Sequence, residues 1–282
     1  MAERHGYIPG VPCWVDTNRP DPEAAMDFYR GLFGWEFEDR MPAGSPGRYF
    51  VARLRGGDVG AIGSPSDGGT TSVAWNTYVC AQSADETASR VRQAGGRVLM
   101  EPFDIPDAGR MAVFADPEGA AFRVWQPGRH KGAQIVNEPG SVNFNGLHTR
   151  DAEAAKRFYG SVFGWSTLTV GDSEMWTLPG YGDHLEERDP GLRERNAQYG
   201  APGFEDVVAS IDPIGDDQGD LPAHWSVTFA TDDADRLAAK ATELGGSVLL
   251  PPTDAPWVRV TVIADPQGAS FTATVFTAEN RG

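Results

Sequence analysis

The chain has 282 residues, enough for two ordinary domains that each bury a core. Lys and Arg number 24 against 40 Asp and Glu, and the resulting net charge of -16 repels nucleic acid and anionic membrane surfaces. Two cysteines without a CxxC exclude a disulfide framework, and no secretory h-region or run of about 18 apolar residues occurs, so a soluble cytoplasmic protein is expected.

The first expected strand is Val11–Thr17, with Cys13 as a small buried residue. A helix follows over Pro22–Phe33. Asp21 is its N-cap, Pro22 takes N1, and Ala24, Ala25, Phe28 and Leu32 form its apolar stripe. Strands are expected near Tyr49–Leu54 and Val59–Ile62, then at Trp75–Val79, ending beside Cys80. A second helix, about Ala84–Ala94, is closed by Gly95, and strands follow at Arg97–Met100, Met111–Ala115 and Ala121–Trp125. Residues 128–140 carry Gly, Lys, Arg, Asn and Pro with little apolar content and read as a linker.

The plan then repeats. Asp21-Pro-Glu-Ala-Ala-Met-Asp-Phe-Tyr-Arg-Gly-Leu-Phe-Gly-Trp35 returns as Asp151-Ala-Glu-Ala-Ala-Lys-Arg-Phe-Tyr-Gly-Ser-Val-Phe-Gly-Trp165, an offset of 130. Trp75 and Trp225, Gly95-Gly96 and Gly245-Gly246, and Pro102 and Pro252 match at 150; Asp116-Pro-Glu-Gly119 and Asp265-Pro-Gln-Gly268 match at 149. The second copy therefore holds about twenty extra residues, placed in the polar stretch 181–205 with a short charged helix over Leu185–Tyr199. That stretch reads as a solvated helix or as a lid over a cleft. Arg110 and Arg259 recur at matching places and are expected to make a structural contact twice, such as an interdomain ion pair.

The D-x-x-x-A-x-x-FY-x-x-x-FG run, the GG-ended second helix and Asp-Pro-x-Gly before the last strand, all duplicated, resemble the vicinal oxygen chelate superfamily of glyoxalase I, bleomycin-resistance proteins and extradiol dioxygenases. The arrangement looks most like the two-domain actinobacterial glyoxalase-like proteins often labelled as hydroxylases. The resemblance implies an α+β fold of tandem βαβββ modules. These form two glyoxalase-like domains, residues 7–127 and 141–277, each a curved mixed sheet around a cleft with helices outside.

In that family a metal is held from the first, fourth, fifth and eighth strands. Counted from this chain's own landmarks, those places carry Trp14, Asn76 and Arg123 in the first half and Phe144, Ser226 and Thr272 in the second; the fourth strands, near Val59–Ile62 and Val207–Ile211, show no carboxylate. Indole and phenyl rings offer a metal no lone pair, and Arg repels it. No metal ligand and no cofactor are expected, and the glyoxalase I and extradiol activities that need a metal fall away.

Strand alternation puts Trp14, Asp16 and Asn18 on the first cleft face, joined by Asn76, Arg123 and Trp125. Two indole walls, a cation, a carboxylate and an amide suit a planar, conjugated ligand with an acidic or carbonyl group. The bland alternative is an Arg123–Asp16 ion pair inside a filled interior. The second cleft would be lined by Phe144, His148, Ser226, Thr272 and Thr274; His148 reads either as a base or, as a lone His at a strand end more often is, as a surface or hydrogen-bonded residue.

Three readings remain open. One is a metal-free binder that sequesters an aromatic or conjugated organic molecule. The second is a metal-independent isomerase, hydroxylase or cyclase acting on a polyketide-like compound, in which Asp16 or His148 moves the proton. The third is a protein–protein module with both clefts packed shut. The expected partner is an organic small molecule, with neither nucleic acid nor membrane; a homodimer stays open. No GxSxG, HExxH, Walker or GxGxxG motif appears.

Overall fold

Two mixed sheets of eight strands each organise the molecule, and a computed structural model describes residues 4–64, 74–196 and 202–277. The first half runs β1 (Pro12–Asn18), α1 (Pro22–Phe33), β2 (Glu36–Asp39), β3 (Tyr49–Leu54), β4 (Gly57–Gly63), β5 (Trp75–Cys80), α2 (Ala84–Gln93), β6 (Arg97–Ile105), β7 (Gly109–Ala115) and β8 (Ala121–Pro127). The second half runs β9 (Val142–Thr149), α3 (Ala152–Phe163), β10 (Ser166–Val170), β11 (Ser173–Thr177), α4 (Tyr181–Arg188), α5 (Leu192–Asn196), β12 (Val207–Pro213), β13 (His224–Ala230), α6 (Ala234–Glu243), β14 (Ser247–Ala255), β15 (Val258–Ala264) and β16 (Ser270–Phe276). The spatial orders, β2-β3-β4-β1-β5-β8-β7-β6 and β10-β11-β12-β9-β13-β16-β15-β14, are the same path taken twice. In each sheet two βαβββ modules meet where their first strands pair antiparallel, β1 with β5 and β9 with β13. The sequence-derived α+β plan is what the chain adopts.

The signature residues have local reasons. Asp21 and Asp151 accept the backbone N–H of Ala24 and Ala154 at 3.0 and 2.8 Å, satisfying donors a helix start leaves orphaned. Gly34 and Gly164 end the same helices at φ 72° and 75°, a left-handed conformation that a side chain resists.

The remaining signature residues join the two halves. Tyr29 of α1 donates its hydroxyl to Asp265 at 3.1 Å, accepts from Trp75 Nε1 at 3.0 Å, and is fully buried. Tyr159 of α3 repeats this with Asp116 at 3.1 Å and Trp225 Nε1 at 2.9 Å. Each Asp-Pro-x-Gly turn therefore holds the Tyr of the other half. Trp35 and Trp165 complete the exchange by donating to the carbonyls of Gly140 and Gly10. Two apolar cores result, each built from both halves: Phe28, Trp35 and Phe50 pack with Phe229, Leu237 and Phe271, and Phe114, Phe122 and Val91 pack with Phe158, Trp165 and Trp176. The fully buried Arg19 lies 3.0 Å from Asp265, a pairing that the second copy lacks because Thr149 stands in its place.

Two sequence expectations change. Arg110 and Arg259 do make the same contact twice, but inside each half: Arg110 pairs with Asp85 and Asp104, and Arg259 with Asp235 and Asp254. Each ties a helix to a hairpin, α2 to β6–β7 and α6 to β14–β15. The insertion forms two short helices, and residues 197–199 of the expected Leu185–Tyr199 helix lie outside the described residues. Tyr181 and Leu185 of α4 pack on one of the shared cores, and Arg4 donates to the Tyr181 hydroxyl at 2.8 Å. Cys13 and Cys80 are buried, as their small apolar character suggests.

Candidate functional site

The face of each sheet that turns away from the helices forms the candidate cleft, and the two clefts differ in content. On the first sheet, Trp14, Asp16, Tyr78 and Trp125 keep only 5%, 3%, 5% and 6% of their exposure. Asp16 accepts from Asn76 Nδ2 at 2.8 Å, from Tyr78 at 2.6 Å and from Tyr49 at 3.2 Å. Three donors satisfy this buried carboxylate, so it needs no cation. Arg123 lies instead over the Tyr78 ring, 5.6 Å from its centre, and no Arg123–Asp16 ion pair occurs among the described residues. The Tyr49 and Tyr78 hydroxyls are held protonated, first by burial and then by the Asp16 charge.

The linker supplies what fills this cleft. The Ala133 N–H donates to Cys13 O at 2.8 Å, and Tyr7 donates to Ala133 O at 2.7 Å. Trp125 Nε1 donates to His130 O at 2.9 Å, and the His130 ring meets Trp14 edge-on at 4.4 Å. Ala133 belongs to the same buried cluster as Cys13, Trp14 and Trp125, with Tyr7 and Val136 packed against it. Gly132 makes the entry possible: at φ +100°, a Cβ there would lie 2.5 Å from Cys13 O. Burial disfavours the charged His130 ring, with Asp58 opposing and Arg40 reinforcing that shift. Trp14, Asp16, Asn76, Arg123 and Trp125 thus share one face, where residues 130–136 pack against Trp14 and Trp125 while Asn76 and Arg123 stay half-buried.

On the second sheet the register sets Phe144 opposite Thr228, Gly146 opposite Ser226 and His148 opposite His224, while Thr228 lies beside Thr272. Paired residues project to one face. Phe144, His148, Ser226, Thr228, Thr272 and Thr274 are all half-buried and share that face. Apolar side chains flank this hydroxyl-rich floor, Leu168 and Met175 on one arm and Val260 and Val262 on the other. These four are also only half-buried.

At one end of the floor a polar group converges on Gly146. A Cβ there would lie 2.5 Å from Asp212 Oδ2, 2.7 Å from Ser210 Oγ and 3.1 Å from Ser226 Oγ. Ser210 donates to Asp212 at 2.8 Å, and His148 Nε2 lies 3.0 Å from Ser226 Oγ. The His148 and His224 rings stack at 4.4 Å and 3°. His224 Nδ1, 2.8 Å from Pro222 O, carries the proton of that bond. Burial lowers the His148 pKa below the ordinary histidine value; Asp212 pulls it up and His224 pushes it further down.

Asp212, Ser210 and His224 are functional candidates that the sequence reading missed or set aside. The fourth strands do carry carboxylates, because β4 begins before Val59 to include Asp58 and β12 runs on past Ile211 to include Asp212. The available signal was the matched spacing of the two halves, which sets Asp212 beside His148 where the first half has Gly63 beside Asn18.

The family's metal positions carry Trp14, Asn76 and Arg123 in the first half and Phe144, Ser226 and Thr272 in the second, and even with Asp212 added from β12 neither donor set fits a transition metal. No group of three His, Cys, Asp or Glu placed to hold a metal ion occurs among the described residues. No helix among them is long and apolar enough to cross a membrane.

Comparison with known proteins agrees with the fold. Residues 14–124 and 141–272 match the model of the Glyoxalase/Bleomycin resistance protein/Dioxygenase superfamily. A Mycobacterium tuberculosis protein named "Putative glyoxylase CFP32" is 38% identical over 96% of this chain and 97% of its own. The anthracycline biosynthesis protein DnrV of Streptomyces peucetius is 35% identical, covering 94% of this chain and 93% of its own. Among solved structures, the Mn(II)-bound glyoxalase of Novosphingobium aromaticivorans superposes with a TM-score of 0.60 at 16% identity, over 94% of this chain and 82% of that one.

Proposed function

The chain belongs to the glyoxalase/bleomycin resistance/dioxygenase superfamily, and from that premise we propose that it binds a planar, oxygen-bearing organic molecule in the cleft of its second domain, without a metal. One observation carries the reading. Trp14, Tyr78 and Trp125 are buried on the first sheet in one cluster with Ala133, whereas Phe144, Thr228 and Thr274 at the matching places are half-buried and, with Ser226 and Thr272, form a row of hydroxyls between half-buried apolar side chains among the described residues. A conjugated ring system matches that pattern. Its faces would cover Leu168, Met175, Val260 and Val262, and its carbonyl and hydroxyl oxygens would meet Ser226, Thr228 and Thr272. A relative named for anthracycline biosynthesis supports a fused polycyclic ligand of polyketide type.

Titration with 1,4-dihydroxyanthraquinone, followed by its visible absorbance, tests the reading. Saturable binding is expected for the natural chain and for Trp125→Phe, and its loss for Thr272→Trp. Binding that survives Thr272→Trp would place the ligand elsewhere and refute the reading.

A further inference from the structure

We infer that His148 and Ser226 form a proton-transfer pair that enolises an aryl ketone held in the second cleft; the inference rests on the binding role proposed above for that cleft. His148 Nε2 is 3.0 Å from Ser226 Oγ, nearer than the Gly146 carbonyl to which that hydroxyl donates at 3.4 Å, so the neutral ring is within reach of the serine proton. The ring is held in place. It stacks on His224, which is tethered in turn to the Pro222 carbonyl, and the shared plane limits rotation of both. Burial keeps the His148 ring neutral at physiological pH, the form that accepts a proton.

Gly146 lets the polar groups close in beside the pair. It lies on β9 two residues before His148 and opposite Ser226 of β13, and the space a side chain would take there is filled by the oxygens of Asp212, Ser210 and Ser226. In the first half the matching residue is Asp16, and the residues matching His148 and Ser226 are Asn18 and Asn76, which cannot take up a proton near neutrality.

The step balances without a co-reactant. Ser226 Oγ takes the proton from the carbon beside the ketone as its own proton passes to His148 Nε2. The C–H electron pair becomes a C=C bond, and the carbonyl π pair moves to oxygen. The Thr228 and Thr272 hydroxyls face the same cleft and have no side-chain hydrogen bond among the described residues, so they are placed to donate to that developing charge. The reverse transfer delivers a proton to carbon, giving solvent exchange, or to oxygen, giving the enol. Acyl transfer by Ser226 fits less well. β13 is an interior strand paired on both sides, so its backbone N–H groups are engaged in ladders and leave no oxyanion hole.

The groups facing His148 are Asp212 on β12 and Ser226 and His224 on β13, so exchange is expected to fall as pH drops and the ring protonates. The test uses 1-tetralone, a fused aryl ketone, with deuterium uptake at its C2 read by proton NMR and its Kd measured separately. At pH 7 the natural chain should speed exchange at least tenfold over buffer. At saturating ketone, His148→Asn should abolish that acceleration with Kd changed less than threefold, Ser226→Ala should abolish it with a Kd weakened by the lost ligand hydrogen bond, and Ser226→Thr should restore exchange. Binding with exchange no faster than in buffer, or exchange that survives both variants, overturns the inference and leaves the binding role standing. Failure of 1-tetralone to bind counts against the binding role itself, and the inference falls with it.

Discussion

Trp14, Asp16, Asn76, Tyr78, Arg123 and Trp125 on the first sheet stand where Phe144, Gly146, Ser226, Thr228, Thr272 and Thr274 stand on the second. The backbone path is shared, yet the first set has Trp14, Asp16, Tyr78 and Trp125 buried with Asn76 and Arg123 half-buried, while in the second Phe144 and four hydroxyl side chains are half-buried around the buried Gly146. The first set does not close its cleft unaided. Residues 130–136 finish it, with Ala133 and His130 anchored by backbone hydrogen bonds to Cys13 and Trp125. Duplication therefore gives two copies of a scaffold in which one face is filled around Trp14 and Trp125 and the matching residues of the other are half-buried. The two copies cannot drift apart, because each one's Tyr is hydrogen-bonded to the other's Asp-Pro-x-Gly turn.

The strongest way to break this contrast is to hollow out the first cleft. Trp125→Ala removes a buried indole from a packed cluster and should cost about 3–5 kcal/mol of stability, read from denaturant midpoints. Ligand binding in the second cleft should be unchanged for the fraction that remains folded. The reciprocal change, Thr272→Trp, makes the second cleft resemble the first. It should weaken 1,4-dihydroxyanthraquinone binding at least thirtyfold, about 2 kcal/mol, while stability moves by less than about 1 kcal/mol, since the site is half-buried.

The interlock offers a finer comparison. Tyr29→Phe and Tyr159→Phe each strand a buried indole N–H and remove a donor from a buried carboxylate, a loss of about 1–3 kcal/mol. Tyr159→Phe should be the larger, because Asp265 keeps Arg19 at 3.0 Å whereas Asp116 has no Arg or Lys partner among the described residues. Paired thermal melts at pH 7 would rank them, and an inverted order would count against this account of the clamp.

The smallest expected effect is on pH. His130 is buried in the first cleft with its pKa lowered, so below the ordinary histidine value of about 6.5 the unfolded chain binds a proton that the folded chain refuses. That part of the stability is present above pH 6.5 and is lost as pH falls toward the folded-state value. His130→Gln should flatten the slope of stability against pH in that window; an unchanged slope would show that His130 does not contribute. His148 titrates in the same direction, so some slope should persist in the variant.

Much of the scaffold was legible because its signals are local. The helix at 22–33 follows from Asp21, Pro22 and Gly34, and the repeated strands follow from alternation and the offset between copies. The residue types on the first, fifth and eighth strands were legible too, since they depend on fixed spacing, but the fourth-strand carboxylates Asp58 and Asp212 were not. Nor was the filling of the first cleft. Residues 128–140 read as a polar linker, and Ala133 and Val136 were too few to signal that the segment is core; only the fold brings Cys13 and Trp125 to it. The roles of Tyr29, Trp35, Tyr159 and Trp165 were hidden for the same reason, as their partners lie more than 100 residues away for Asp265, Gly140 and Gly10. Asp212 was lost to an end-of-strand boundary, where hydrophobic patterning is least informative.

Methionine methyl groups allow the contrast between the clefts to be measured in one sample, because Met111 pairs with Trp125 in the first and Met175 with Ser210 in the second. In protein labelled with 13C at the methionine methyls, saturating 1,4-dihydroxyanthraquinone should shift the Met175 resonance and leave that of Met111 in place. A shift of Met111 with Met175 unmoved would mean that the open cleft had been assigned to the wrong half of the molecule.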